Sequence, residues 1–164
     1  MGRSNTTAAC LFILLLGMPR MGAGDMDENL VYMSLEIFPK MVAVDLDLDR
    51  KLTPEGKIRL LVYYHKKGEW AKEVVRILSE KIETVSSKSI EAVSSDTLNS
   101  VVPTAILIVE RLDKEHLKRV TDFSISRHIL VFSPYEQDVK RGIIAGMSLQ
   151  IRIKPYFNRA SLAG

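Results

Sequence analysis

Three histidines, a single cysteine and a scatter of acids and serines are the residues of this chain whose chemistry could act on a ligand. His65, His116 and His128 form no HxH or HExxH pair. Around none of them is a second histidine or an acid read at ligand spacing, so solvated or satisfied side chains, and no metal site, are expected. No serine lies in a GxSxG turn, which removes a nucleophile elbow, although a Ser-His-Asp triad built from distant positions stays open. Cys10 is the only thiol and lies in the leading segment, so a chain without that segment has no cysteine for thiol catalysis, CxxC redox chemistry or zinc ligation.

The remaining motifs are weaker. Asp45-Leu46-Asp47-Leu48-Asp49-Arg50 alternates carboxylate with leucine, but it lacks the glycine and the distal glutamate of an EF-hand loop. A solvated alternating segment leading into the first strand is expected instead. His65-Lys66-Lys67-Gly68 follows a strand and opens a helix, where an anion could bind. One glycine cannot build a P-loop or a GxGxxG turn, so Lys66 and Lys67 are anion-binding candidates set against the ordinary reading of loop charges. A receiver-type phosphoacceptor needs acids at strand ends, and only Glu110 is offered there. The expectation is a protein that binds instead of catalysing, with no cofactor.

These residues need a scaffold. Pro103-Thr104-Ala105-Ile106-Leu107-Ile108-Val109-Glu110 is a continuous apolar run closed by a carboxylate, the pattern of a strand covered on both faces. Similar runs at 58–64 and 128–132 flank it, each separated from it by a helical pattern. Ser89 to Val93 alternates like a half-exposed strand at a sheet edge. Asp96 to Val101 reads as a brief turn or helix, and Asp113 can cap a helix from Lys114. Before the first strand, Leu30, Met33, Leu35, Ile37, Phe38, Met41 and Val42 give a broad helical stripe that Pro39 should kink or end. The reading is an α/β single domain: a central, largely parallel sheet flanked by helices, with short C-terminal strands and a final helix.

Composition agrees, with 46% hydrophobic and 26% charged residues in 164, enough for one core. Residues 1–24 have the order of a secretory signal: Arg3, the apolar stretch Ala8 to Met18, then Gly22-Ala23-Gly24 before a cut at Asp25. The apolar part is shorter than the roughly 20 residues that span a bilayer, with an uncleaved anchor as the other reading. The domain is then 25–164, in the periplasm. Removing residues 1–24, which carry Arg3 and Arg20 and no acid, lowers the formal charge from +3 to +1. No basic stripe remains to bind nucleic acid.

The C-terminal third carries Ser133-Pro134-Tyr135-Glu136, Asp138-Val139-Lys140-Arg141-Gly142, Ala145-Gly146 and Lys154-Pro155-Tyr156-Phe157-Asn158. By their residue types, Gly142 and Gly146 suit turns or close backbone approaches, Pro155 ends a strand and Asn158 caps a helix. Arg141, Arg152 and Tyr156 suit an anion or a protein partner. Over residues 133–164 this segment resembles the closing part of the YfiR family of periplasmic proteins. The resemblance implies a regulator that binds the periplasmic domain of a membrane-bound diguanylate cyclase, or another sensor protein, and restrains it in cyclic-di-GMP signalling. A second copy of the chain is the other candidate partner. The family commonly carries disulfides, which this chain without its leader cannot form, and its last helix runs beyond the position of Gly164. The alternative is a periplasmic small-molecule binding protein with its pocket at the strand ends.

Overall fold

The computed structural model of the protein describes residues 23–148. Along the chain run α1 (Ala23–Ala43), β1 (Ile58–Tyr63), α2 (Gly68–Lys81), β2 (Thr84–Val85) and β3 (Lys88–Ser95). There follow β4 (Ala105–Ile108), α3 (Lys114–Arg127), β5 (Leu130–Ser133), α4 (Glu136–Lys140) and β6 (Ala145–Gly146). The strands form one six-stranded sheet in the order β2-β3-β1-β4-β5-β6. All neighbours are parallel except the hairpin pair β2 and β3. β4 lies between β1 and β5, as its unbroken apolar run requires, because a strand with helices on both faces and strands on both edges meets no water. Ile106 and Ile108 have 0% exposure.

Side chains alternate across the sheet into two cores. Leu60, Val62, Leu107 and Phe132 join Val31, Phe38 and Val42 of α1 and Val74 and Leu78 of α2. Leu61, Tyr63, Ile106, Ile108 and Val131 join Leu117 and Val120 of α3. Period-two alternation in the strands meets period-3.6 stripes in the helices. At the N-terminal ends of the strands, Thr104 ties the sheet to the preceding loop: its hydroxyl donates to the Lys51 carbonyl at 2.8 Å and accepts the Arg59 amide at 3.0 Å.

The chain leaves β1 for β3 on one side and returns to β4 on the other. This reversal makes a topological switch point between the carboxyl ends of β1 and β4, the usual ligand position of open α/β sheets.

Four local expectations are corrected. α1 continues through Pro39 to Ala43, because Phe38 and Val42, on either side of the proline, are both anchored in the core. Its apolar residues divide between two faces: Val31, Leu35, Phe38 and Val42 are buried, whereas Met26, Met33 and Ile37 are exposed. The acidic run is not extended. Leu48 to Lys51 form a 3₁₀ turn with Leu48 buried and Leu46 fully exposed, closed by a 2.6 Å ion pair from Lys51 to Asp45. His128 does not start a strand; it ends α3 in the left-handed conformation, at φ 54°.

Candidate functional site

The loop from β1 to α2 turns its backbone amides inward. At the switch point the N–H groups of His65, Lys66 and Lys67 converge on one oxygen, Glu110 Oε1, at 2.6, 2.7 and 3.1 Å. Glu110 follows β4 by two residues and is 6% exposed. Burial pushes its carboxyl up, but the donors from Lys66, His65 and Lys67 outweigh this and hold it below its ordinary value. The loop therefore forms an anion cradle of backbone N–H groups at the start of α2, and the chain fills it with its own carboxylate. The amides of Lys66 and Lys67 thus serve Glu110, while the Lys66 side chain is exposed. This gives Glu110 a structural task where a strand-end phosphoacceptor would have needed a free carboxylate.

Beside the cradle the same loop places His65 against α3. Asp113 caps that helix, accepting the His116 amide at 2.9 Å through Oδ1. Its two carboxylate oxygens also lie 2.9 and 2.8 Å from His116 Nδ1. These backbone and side-chain contacts to His116 hold the Asp113 carboxyl down to about 2. The His65 and His116 rings lie close together and tilted, with centroids 3.6 Å apart and planes 36° from parallel. Donor atoms of His65, Asp113 and His116 all fall within 4.8 Å of one another. No acid or second histidine was read at ligand spacing along the sequence; the fold brings both to His65. The Asp113-to-His116 spacing of three residues, one helical turn, was the available signal. His65 comes from the loop after β1, and its place depends on β1 and β4 being neighbours.

A second buried network sits at the end of β5. The Ser133 hydroxyl donates to Asp138 Oδ2 at 2.6 Å and accepts the Tyr135 amide at 3.2 Å. The Tyr135 hydroxyl donates to the Val109 carbonyl at 3.4 Å. Arg111 lies over the Tyr135 ring, 4.7 Å from its centroid, and pairs with Asp27 of α1 at 2.9 Å. Burial raises the Tyr135 hydroxyl pKa, and it raises Asp138 against the opposing Ser133 hydrogen bond and the Arg141 and Arg111 charges. Ser133 is fully buried. Among the described residues the hydrogen bonds join Ser133 to Asp138 and His116 to Asp113, so serine and histidine belong to separate networks.

Of the other sequence candidates, Arg141 follows α4, is exposed, and lines a cavity of about 450 Å³ together with Lys114 and Lys118 of α3. Gly142 takes φ +114°, open to glycine and strained for other residues. Gly146 is a close approach: a Cβ there would overlap Val139 Cγ2 and stand 2.7 Å from the Ser133 carbonyl oxygen. Arg152, Pro155, Tyr156 and Asn158 lie outside the described residues, as do the expected final helix and residues 1–22 of the expected signal segment.

An apolar groove of about 430 Å³ lies away from the strand ends, between α1, the end of α2 and the β2–β3 hairpin. Tyr32, Leu35, Pro39, Ile77, Ile82 and Val85 supply much of its wall. No helix among the described residues is long and apolar enough to cross a membrane. No protein-family model, no curated protein and no solved structure matches this chain.

Proposed function

We propose that this protein acts by binding another protein, as an exported regulator that docks on the periplasmic domain of a membrane-bound diguanylate cyclase and restrains it. The observation that carries the reading is the second apolar face of α1. Met26, Met33, Ile37 and Val44, just past the helix end, are 67%, 45%, 37% and 69% exposed. Their spacing of seven, four and seven residues puts them in one line, opposite the buried line of Val31, Leu35, Phe38 and Val42. A helix already packed in its own core gains nothing within the monomer from a second stripe, whereas a partner helix or groove can cover it. The resemblance of residues 133–164 to the YfiR family supports the choice of partner.

The test pairs stability with affinity. Met33→Glu with Ile37→Glu should leave thermal unfolding unchanged and weaken association with the cyclase's periplasmic domain at least roughly thirtyfold, the size expected for losing central anchors. A folded wild-type protein that recovers no cyclase from envelope extracts overturns the reading. Unchanged affinity in the double variant moves the contact off α1.

The small-molecule reading has one observation in its favour: the 430 Å³ groove is within the size range of ligand pockets. It predicts a thermal shift with an apolar ligand that Val85→Trp, which fills the groove, removes.

A further inference from the structure

We propose that His65, Asp113 and His116 form a binding site for a borderline divalent transition-metal ion, with zinc as its representative. The two imidazoles and one carboxylate have donor atoms within 4.8 Å of one another, so small side-chain rotations close them onto one ion. Two nitrogens and an oxygen are the donor set of zinc, copper, nickel or cobalt; calcium and magnesium call for oxygen ligands. Three protein ligands leave at least one coordination position for water or an exogenous donor, as in open zinc sites.

The scaffold holds these groups before any ion arrives. Asp113 is fixed as the α3 cap and His116 stands in the first turn of that helix. The His65 backbone is clamped by its 2.6 Å hydrogen bond to Glu110. Each ligand thus comes from a rigid element end, and the Glu110 carboxylate adds negative potential beside a cation. The His116 side chain is 15% exposed and the Asp113 side chain 54%, so the cluster is partly shielded and still open on the carboxylate side. The placement at the switch point matches where open α/β sheets take ligands. The close, tilted contact of the His65 and His116 rings gains a purpose: an ion inserted at their edges turns a weak ring contact into two metal–nitrogen bonds.

The experiment is a titration of the untagged full chain with zinc chloride by calorimetry, repeated with cobalt(II) to read ligand-field absorption. One ion per chain with micromolar or tighter affinity and a raised thermal midpoint is expected. His65→Gln and His116→Gln should each weaken zinc binding at least roughly tenfold. Asp113→Asn keeps a good helix cap and should weaken it similarly, separating ligation from folding. His128→Asn, a residue that tolerates the left-handed conformation, should bind zinc like wild type. Wild-type protein that binds zinc no tighter than millimolar overturns the proposal. So does zinc affinity unchanged in folded His65→Gln and His116→Gln proteins. None of these readouts requires a protein partner, so they stand or fall apart from the docking role.

Discussion

Glu110 Oε1 accepts the His65 amide at 2.6 Å across the gap between the ends of β4 and β1, and the two following amides bond to the same oxygen. One carboxylate thereby orders the loop that carries His65 and starts α2. Glu110→Ala leaves three inward-facing N–H groups without their acceptor and should cost about 3 kcal/mol, since charge-assisted bonds are worth roughly 1.5–3 kcal/mol and unmet buried donors cost comparably. Glu110→Gln keeps an acceptor and should lose less. Urea unfolding measures both. An alanine variant within about 0.5 kcal/mol of wild type would show that water replaces the carboxylate without penalty.

Asp138 gives a pH-dependent signature. Burial raises its folded pKa, with the Ser133 hydrogen bond and the Arg141 and Arg111 charges only partly offsetting it. A raised carboxyl stabilises in its neutral form: the contribution is present below the unfolded value of about 3.9 and is lost as pH rises through the folded value. Asp138→Asn does not titrate and can still accept from Ser133. The stability of the variant relative to wild type should therefore increase as pH rises from about 4 to about 7, read by thermal unfolding across that range. A difference that is flat or shrinks with pH contradicts this assignment.

The β2–β3 hairpin turns through Ser86 and Ser87, with φ of 49° and 64°. Both are left-handed, as the two-residue turns that match strand twist require, yet neither is the glycine or asparagine that suits them. Ser87→Gly removes the Cβ clash at one position and should stabilise by about 1 kcal/mol. Chemical denaturation of the single variant decides; a loss of stability would mean that the serine makes a compensating contact.

Ile106 has 0% exposure and faces the α3 core from the strand between β1 and β5. Ile106→Asp places an unpaired carboxylate there, a loss of several kcal/mol against a total stability of about 5–15 kcal/mol. The variant should fail to unfold cooperatively in circular dichroism. A soluble protein with a sharp transition would remove β4 from the centre of the core.

Burial patterns were legible in the residues alone. The apolar run at 58–63, interrupted only by Arg59, the unbroken one at 105–108 and the helical stripe of α2 each describe one element against an averaged interior, so strands, helices and a largely parallel sheet followed without tertiary information. Asp113 as a cap was equally local, a matter of one turn of backbone. Only the fold determined which elements became neighbours. His65 meets His116, and Glu110 meets the amides of residues 65–67, because β1 and β4 pair while β3 lies beyond β1. Periodicity carries no information about strand order. The faces of α1 divided for a related reason: a stripe of apolar residues tells that a helix has something to cover, whereas the position of the sheet decides that Phe38 points inward and Met33 outward. Packing also overrode propensity at Pro39, where core contacts on both sides held the helix together across a residue that ends helices in isolation.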